Sequence, residues 1–176
     1  MKKLLVVIDM QNDFIDGALG TKEAQEIIPN VVAKIRNWDG DVWYTMDTHN
    51  ADSYLESKEG QKLPVLHCIE GTRGWQVQSD VSKALSKKKA KCVQKHTFGE
   101  VNLPGMICVR GFDYVELVGL CTDICVVSNA RTIKSALEFA DIAVDAECCA
   151  GTTPEMHEAA LKVMESCQIE VLNRAR

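Results

Sequence analysis

The chain of 176 residues is close to the usual size of one domain, so we expect a single domain over residues 1–176 and no separate cofactor module. Hydrophobic residues make up 46% of the sequence and charged residues 26%, which excludes intrinsic disorder. The formal net charge of -5 gives no attraction for phosphate backbones or anionic lipid, so neither nucleic acid nor a membrane is an expected partner.

The N-terminal segment and the cysteines indicate the compartment. The first apolar run, residues 4–8, is too short for a membrane span or for a signal-peptide core. The eight cysteines include no pair with C-x-x-C spacing, so we interpret most of them as reduced thiols. We therefore expect a cytoplasmic protein.

Short apolar runs rich in β-branched residues alternate with segments of helical period. The runs are residues 3–8, 41–46, 91–94, 114–120, 142–144 and 169–172, and apolar helical faces lie within 28–38, 126–137 and 156–164. This alternation predicts an α/β, three-layer, Rossmann-like fold with a mainly parallel sheet of about six strands and helices on both faces. Residues 48–74 follow neither period, which predicts a long and functional loop.

Chemically reactive side chains follow the first four predicted strands. Asp9 follows the first strand, and Asp47 with His49 follows the second. Lys95 ends the third strand, and Cys125 lies just beyond the fourth. The carboxyl ends of parallel strands share one edge of the sheet, where ligands bind, so we expect these side chains to meet in one crevice.

Cys125 is the predicted nucleophile. The chain passes from a strand into a helix here, with Thr122 or Asp123 as the N-cap, so Cys125 should lie in the first turn. The positive end of the helix dipole favours a thiolate there, which predicts a lowered pKa. Spacing alone is equally compatible with other roles. Cys125 could be a small buried residue, Asp9 could cap a loop, and Lys95 could lie at the surface. Their convergence is what thiol-based acyl transfer requires.

Two motifs resemble the isochorismatase-like cysteine hydrolases, a superfamily that includes the nicotinamidases. They are D-x-Q-N-D-F at residues 9–14 and G-x-x-T-D-x-C-V at residues 119–126, and the resemblance extends over essentially the whole chain. It implies a catalytic triad of Asp9, Lys95 and Cys125. In such enzymes the aspartate takes the thiol proton, the thiolate attacks an amide carbonyl, and the lysine stabilises the charged pair.

The same resemblance implies further features of the site and of the assembly. A cis peptide bond precedes Cys121, and the backbone N–H groups of Cys121 and Cys125 form an oxyanion hole. The thioester left after ammonia departs is hydrolysed by water to a carboxylic acid. The resemblance also implies a homo-oligomer.

A second group of residues suits a metal ion. Asp47 and His49 project to one side of an extended strand end, because residues two apart share a face, and His67 follows in the long loop. One carboxylate and two imidazoles suit zinc, iron or manganese, although the spacing alone is equally compatible with loop hydrogen bonding. Nicotinamidases carry D-x-H followed by a histidine in a Pro…His-Cys segment, to which residues 64–68 are similar. We expect one divalent transition metal ion, zinc first, and no organic cofactor.

The substrate pocket is predicted from Phe14, Leu63 and Phe98. The resemblance is weaker at this pocket, because Leu63 precedes a proline where nicotinamidases have Trp-Pro-x-His, and the segment after Lys95 is shorter than usual. The remaining histidine on the last predicted helix, His157, is expected at the surface.

The leading function is a metal-containing cysteine amidohydrolase, a nicotinamidase first, with a small amide as its partner. One alternative is a hydrolase of the same superfamily that acts on another small amide or carbamoyl compound. Another is a hydrolase in which a metal ion at Asp47, His49 and His67 activates water and Cys125 is incidental. The last is a binding protein for a small molecule, without catalysis.

Overall fold

The computed structural model describes residues 1–174 and contains one six-stranded parallel sheet. The strands are β1 (Lys3–Ile8), β2 (Asp41–Asp47), β3 (Lys91–Lys95), β4 (Tyr114–Leu120), β5 (Asp141–Ala150) and β6 (Glu170–Leu172). Their order in the sheet is β3-β2-β1-β4-β5-β6, and every neighbouring pair is parallel. The predicted six-stranded α/β fold is confirmed.

Helices cover both faces of the sheet. They are α1 (Asn12–Ile15), α2 (Lys22–Glu26), α3 (Ile28–Asn37), α4 (Lys58–Lys62), α5 (Ser79–Lys87), α6 (Leu103–Cys108), α7 (Val127–Ala136) and α8 (Pro154–Ser166). Alternate residues of β1 divide between two apolar cores: Leu5 and Val7 pack with α3 and α5, whereas Leu4 and Val6 pack with α6, α7 and α8. Within residues 1–174, no helix is both long and apolar enough to cross a membrane.

Strand β5 is much longer than the predicted residues 142–144. The apolar run of residues 142–144 is followed by the polar residues Asp145 and Glu147, so the sequence pattern did not show that the strand continues. Asp145 is nevertheless buried in the sheet, because Lys34 of α3 places its Nζ 2.6 Å from Asp145 Oδ2 and 2.6 Å from Glu116 Oε1 of β4. An ion-paired carboxylate can therefore occupy a position where the apolar pattern predicts the end of a strand.

The expected long loop of residues 48–74 is only partly irregular. A 3-10 turn, Tyr54–Glu56, precedes α4, and the Ser57 hydroxyl caps α4 by accepting from the Gly60 N–H at 2.9 Å. Elements this short do not produce a hydrophobic period that the sequence can reveal.

The topology opens a crevice beside β1. The chain leaves β1 toward β2 and β3, then returns to the other side of β1 with β4, so that ligands are expected at the carboxyl ends of β1 and β4. Gly119 of β4 lies opposite Ile8 with a φ of +117°, and a Cβ there would collide with the Ile8 carbonyl. Glycine thus allows the two strand ends to approach closely.

Candidate active site

Asp9 leaves the end of β1 in a left-handed backbone conformation, with a φ of +46°, and its carboxylate is fully buried. Its Oδ1 accepts a hydrogen bond of 2.6 Å from the Thr45 hydroxyl of β2, which also accepts from the Asp9 N–H at 3.2 Å. No group in residues 1–174 donates a well-aligned hydrogen bond to Oδ2. The charged neighbour of that oxygen is the ammonium of Lys95.

Lys95, at the end of β3, is fully buried and contacts two carboxylates and the thiol. Its Nζ lies 2.7 Å from Asp9 Oδ2, 3.0 Å from Asp47 Oδ1 and 3.5 Å from Cys125 Sγ. Burial lowers the pKa of Lys95, but the negative charges around it raise that pKa well above its usual value. The structure thus brings Asp9 and Cys125 together around the ammonium of Lys95.

Cys125 lies in a five-residue π-turn, Thr122–Val126, between β4 and α7. The peptide bond from Leu120 to Cys121 is cis, as the resemblance implied. The Cys121 carbonyl accepts from the N–H groups of Ile124 and Val126 at 3.1 Å each, which closes the turn. On the C-terminal side of the turn, the side-chain amide of Asn129 in α7 donates to the Cys125 carbonyl at 2.8 Å.

The expected helix cap before Cys125 is wrong. The turn begins at Cys121 without a side-chain cap, since the side chains of Thr122 and Asp123 bond to other elements: Thr122 to His157 and Asp123 to Thr152. His157 is therefore half-buried against the turn, contrary to its expected position at the surface. These partners lie about 30 residues further along the chain, so the local sequence around Cys125 could not predict them.

The expected lowering of the Cys125 pKa is also wrong. Burial and the negative charge of Asp9 raise the pKa of this thiol well above its usual value, and the ammonium of Lys95 offsets only part of that effect. Burial likewise raises the pKa of Asp9. The π-turn continues directly into α7, but the partial charge at a helix start does not offset the removal of the thiol from water, so desolvation dominates here. The resting site therefore keeps the thiol protonated beside a carboxylate that can accept the proton.

A second cluster of side chains lies next to this triad. The ligand atoms of Asp47, His49, Glu59 and His67 all lie within 4.8 Å of one another. His49 Nε2 is 2.8 Å from Asp47 Oδ2, and His67 Nε2 is 3.4 Å from Glu59 Oε1. The predicted trio thus comes together, and the structure adds Glu59, which the sequence analysis missed because α4 was not foreseen.

The donor set fits a transition metal ion. Two imidazole nitrogens and two carboxylates suit zinc, iron or manganese. The Nδ1 of His67 is 2.8 Å from the Val65 carbonyl, which leaves its Nε2 directed at the cluster, as in metal-binding histidines. The ring of Tyr54 packs edge-on against both imidazoles, with centroids 4.8 Å from His49 and 5.2 Å from His67. The imidazoles are thus held in place by packing.

The D-x-Q-N-D-F segment fastens the metal-ligand segment to the sheet. The buried Gln11 amide donates to the Asp47 carbonyl at 2.8 Å and accepts from the Asp47 N–H at 2.7 Å. Asn12 donates to the Arg73 carbonyl at 2.8 Å, and Asp13 accepts from the Cys68 N–H at 2.7 Å. The sequence analysis quoted this motif but gave these three side chains no role.

Both clusters open into one cavity of about 340 Å³. The predicted pocket residues Phe14, Leu63 and Phe98 all line it, together with Cys125 and His67. Leu63 and Phe98 are more than a third exposed, so they form the mouth of the cavity, whereas Phe14 is buried inside it with the reactive groups. The volume lies at the lower end of the range for small-molecule sites.

A buried thiol, carboxylate and ammonium that meet at the carboxyl edge of a parallel sheet fit a hydrolase with a three-layer Rossmann-like fold. The family model of the isochorismatase domain matches residues 3–176, and the chain belongs to the isochorismatase family.

Solved structures of nicotinamidases share this architecture. The nicotinamidase/pyrazinamidase of Bacillus subtilis is 30% identical, with a TM-score of 0.85 over 98% of this chain and 100% of that one. The pyrazinamidase/nicotinamidase of Streptococcus mutans is 25% identical, with a TM-score of 0.85 over 97% and 100%. The pyrazinamidase of Pyrococcus horikoshii, solved in complex with zinc, is 24% identical, with a TM-score of 0.84 over 99% and 100%. No curated protein sequence matches the chain significantly.

Proposed function

We propose that this protein is a metal-containing cysteine amidohydrolase that converts nicotinamide and water into nicotinate and ammonia. The observation that carries the proposal is the position of the Lys95 ammonium, which contacts Asp9, Asp47 and the Cys125 thiol in one buried site. The similarity to nicotinamidase structures at 25–30% identity supports the choice of amide.

The chemistry passes two protons in turn through Asp9 and forms one thioester. Asp9 Oδ2 takes the proton of the Cys125 thiol, and Sγ forms a bond to the amide carbon. The proton then passes from Asp9 to the amide nitrogen as the C–N bond breaks and ammonia leaves. A water molecule gives a proton to Asp9 and attacks the thioester, so that the C–S bond breaks and the thiolate recovers the proton.

Two groups stabilise negative charge during these steps. Lys95 keeps its proton and balances the charge that moves between Asp9 and Sγ. The backbone N–H groups of Cys121 and Cys125 are the proposed oxyanion donors, and one such donor is commonly worth about 3 kcal/mol in the transition state. Cys121 therefore acts through its backbone, and its side chain lines the cavity.

The metal site is proposed to bind and orient the substrate. Asp47, His49, Glu59 and His67 would hold the ion, zinc first, with iron or manganese as alternatives. A bound ion would supply a Lewis-acid position for a ring nitrogen of the substrate. Because the same cavity contains His67 and Cys125, a ring held at the metal cluster would present its carboxamide toward Sγ.

The decisive experiment compares nicotinamide with benzamide, which carries the same amide on a ring without nitrogen. Metal-replete protein should release ammonia from nicotinamide and far more slowly from benzamide, and Cys125→Ala should release it several orders of magnitude more slowly than the wild type. Equal rates for the two amides would remove the reason for preferring nicotinamide. Undiminished release by Cys125→Ala would remove the thiol mechanism itself.

A second candidate is a related hydrolase of another small amide or carbamoyl compound. The half-exposed Leu63 at the cavity mouth favours it, because nicotinamidases resembling this chain carry a tryptophan there. Ammonia release from a panel of small amides distinguishes the two candidates.

We also propose a cytoplasmic homo-oligomer. Fractionation of cells would test the compartment, and light scattering of the purified protein would test the assembly.

A further inference from the structure

The first turn of α8 is docked against the turn that carries Cys125. The hydroxyl of Thr122, which is fully buried, lies 2.8 Å from His157 Nδ1. The neighbouring Asp123 carboxylate accepts from the Thr152 N–H at 2.8 Å and from the Thr152 hydroxyl at 2.6 Å. Two successive residues of the π-turn are thus bound to the segment that begins α8.

The approach of α8 is close enough to require a glycine. A Cβ on Gly151 would lie 2.7 Å from the backbone nitrogen of His157 and 2.9 Å from Asp123 Oδ1. The helix start is itself capped, because the Thr153 hydroxyl accepts from the Met156 N–H at 3.1 Å. The His157 ring is therefore presented to Thr122 by a fixed backbone.

We propose that His157 is a positioning residue for the nucleophile, acting through the hydroxyl of Thr122. His157 lines a separate groove between α2 and α8, together with Glu23 and Glu158, so it acts without touching the substrate. The proposal rests on the proposed function only in taking Cys125 as the nucleophile. It does not depend on which amide is hydrolysed.

The connection to the reaction passes through the backbone of the π-turn. Thr122 directly follows Cys121, whose N–H is a proposed oxyanion donor and whose carbonyl closes the turn. Burial lowers the pKa of His157, which favours the neutral ring, and in the tautomer protonated at Nε2 its Nδ1 accepts the Thr122 proton. Loss of this hydrogen bond would free the side chain of Thr122, the residue next to the proposed oxyanion donor of Cys121, and we expect an effect of about tenfold on turnover.

A matched pair of variants tests this role. Asparagine places its Oδ1 where the imidazole has Nδ1, whereas leucine has nearly the same shape without a polar atom. We expect His157→Leu to lower kcat for nicotinamide about tenfold, with KM changed less than about twofold, and His157→Asn to recover most of that loss. We also expect iodoacetamide to alkylate Cys125 more slowly in His157→Leu, as measured by peptide mass spectrometry because Cys92 and Cys108 are exposed.

Two further variants complete the experiment. Thr122→Val removes the same hydrogen bond from the other side, and it should add nothing to the effect of His157→Leu when the two are combined. Glu158→Gln, the neighbouring position on α8, breaks a surface contact with Arg174 and should leave kcat and alkylation unchanged. Thermal melting identifies a variant that fails to fold, and Thr122→Val with Thr122→Ser as its rescue then provides the test.

The outcomes separate this proposal from the proposed function. Wild-type kcat and alkylation rates in His157→Leu, or an equal loss in His157→Asn, would overturn the positioning role. If the wild-type protein released no ammonia from nicotinamide but the alkylation rates still followed the Thr122–His157 bond, the choice of amide would fail and the positioning role would stand.

Discussion

Replacing Lys95 by methionine should destabilise the fold as well as abolish turnover. The ammonium is fully buried and lies 2.7 Å from Asp9 and 3.0 Å from Asp47, so Lys95→Met leaves two buried carboxylates without their cation. Removing one partner of a buried ion pair costs about 3–5 kcal/mol. Asp9 can take a proton in response, because burial already raises its pKa, so we expect about 3 kcal/mol at neutral pH.

Urea unfolding and thermal melting measure this loss. For a chain of this size, 3 kcal/mol corresponds to a fall of about 6–12 °C in Tm. In the variant the folded-state pKa of Asp9, which burial already raises, loses the lowering effect of the Lys95 ammonium, so the folded state binds that proton more tightly than the unfolded state does. The difference from the wild type should therefore be larger at about pH 8 than at about pH 5.

A double variant provides the control. Asp9→Asn removes one of the orphaned carboxylates, so Lys95→Met combined with Asp9→Asn should be more stable than Lys95→Met alone. Both forms should remain inactive. A Lys95→Met protein as stable as the wild type, or a double variant less stable than the single one, would refute the view that these groups form one buried ionic cluster.

The remaining predictions concern the thiols and the metal-ligand cluster. Cys125→Ala should lower ammonia release by several orders of magnitude while Cys121→Ala, which keeps its backbone N–H, loses less than about tenfold; similar losses in both would contradict the assignment of the nucleophile. Glu59→Gln should retain less zinc than the wild type after the same dialysis, measured by elemental analysis, and equal zinc would exclude Glu59 as a ligand. Gln11→Ala should also lose zinc, because the amide no longer fixes the backbone of Asp47.

The positions of the reactive side chains were predictable because they depend on strand ends. Asp9 directly follows an apolar run and Lys95 ends a predicted strand, and parallel strands bring such ends to one edge whatever their distance in sequence. Glu59 was not predictable, since a single helical turn within a polar segment leaves no period to detect. The sign of the Cys125 pKa shift was missed because it depends on burial and on neighbouring charge, which only the folded chain determines.

The contacts around Lys95 also bear on how the protein reaches its active form. The bond from Thr45 to Asp9 spans 36 residues of sequence, that from Lys95 to Asp47 spans 48, and that from Lys95 to Cys125 spans 30. Each requires a long loop to close before the contact can form, whereas the helices need only local contacts. Refolding chains should therefore recover helical circular dichroism before they recover hydrolysis, so that catalytic activity reports the completion of folding.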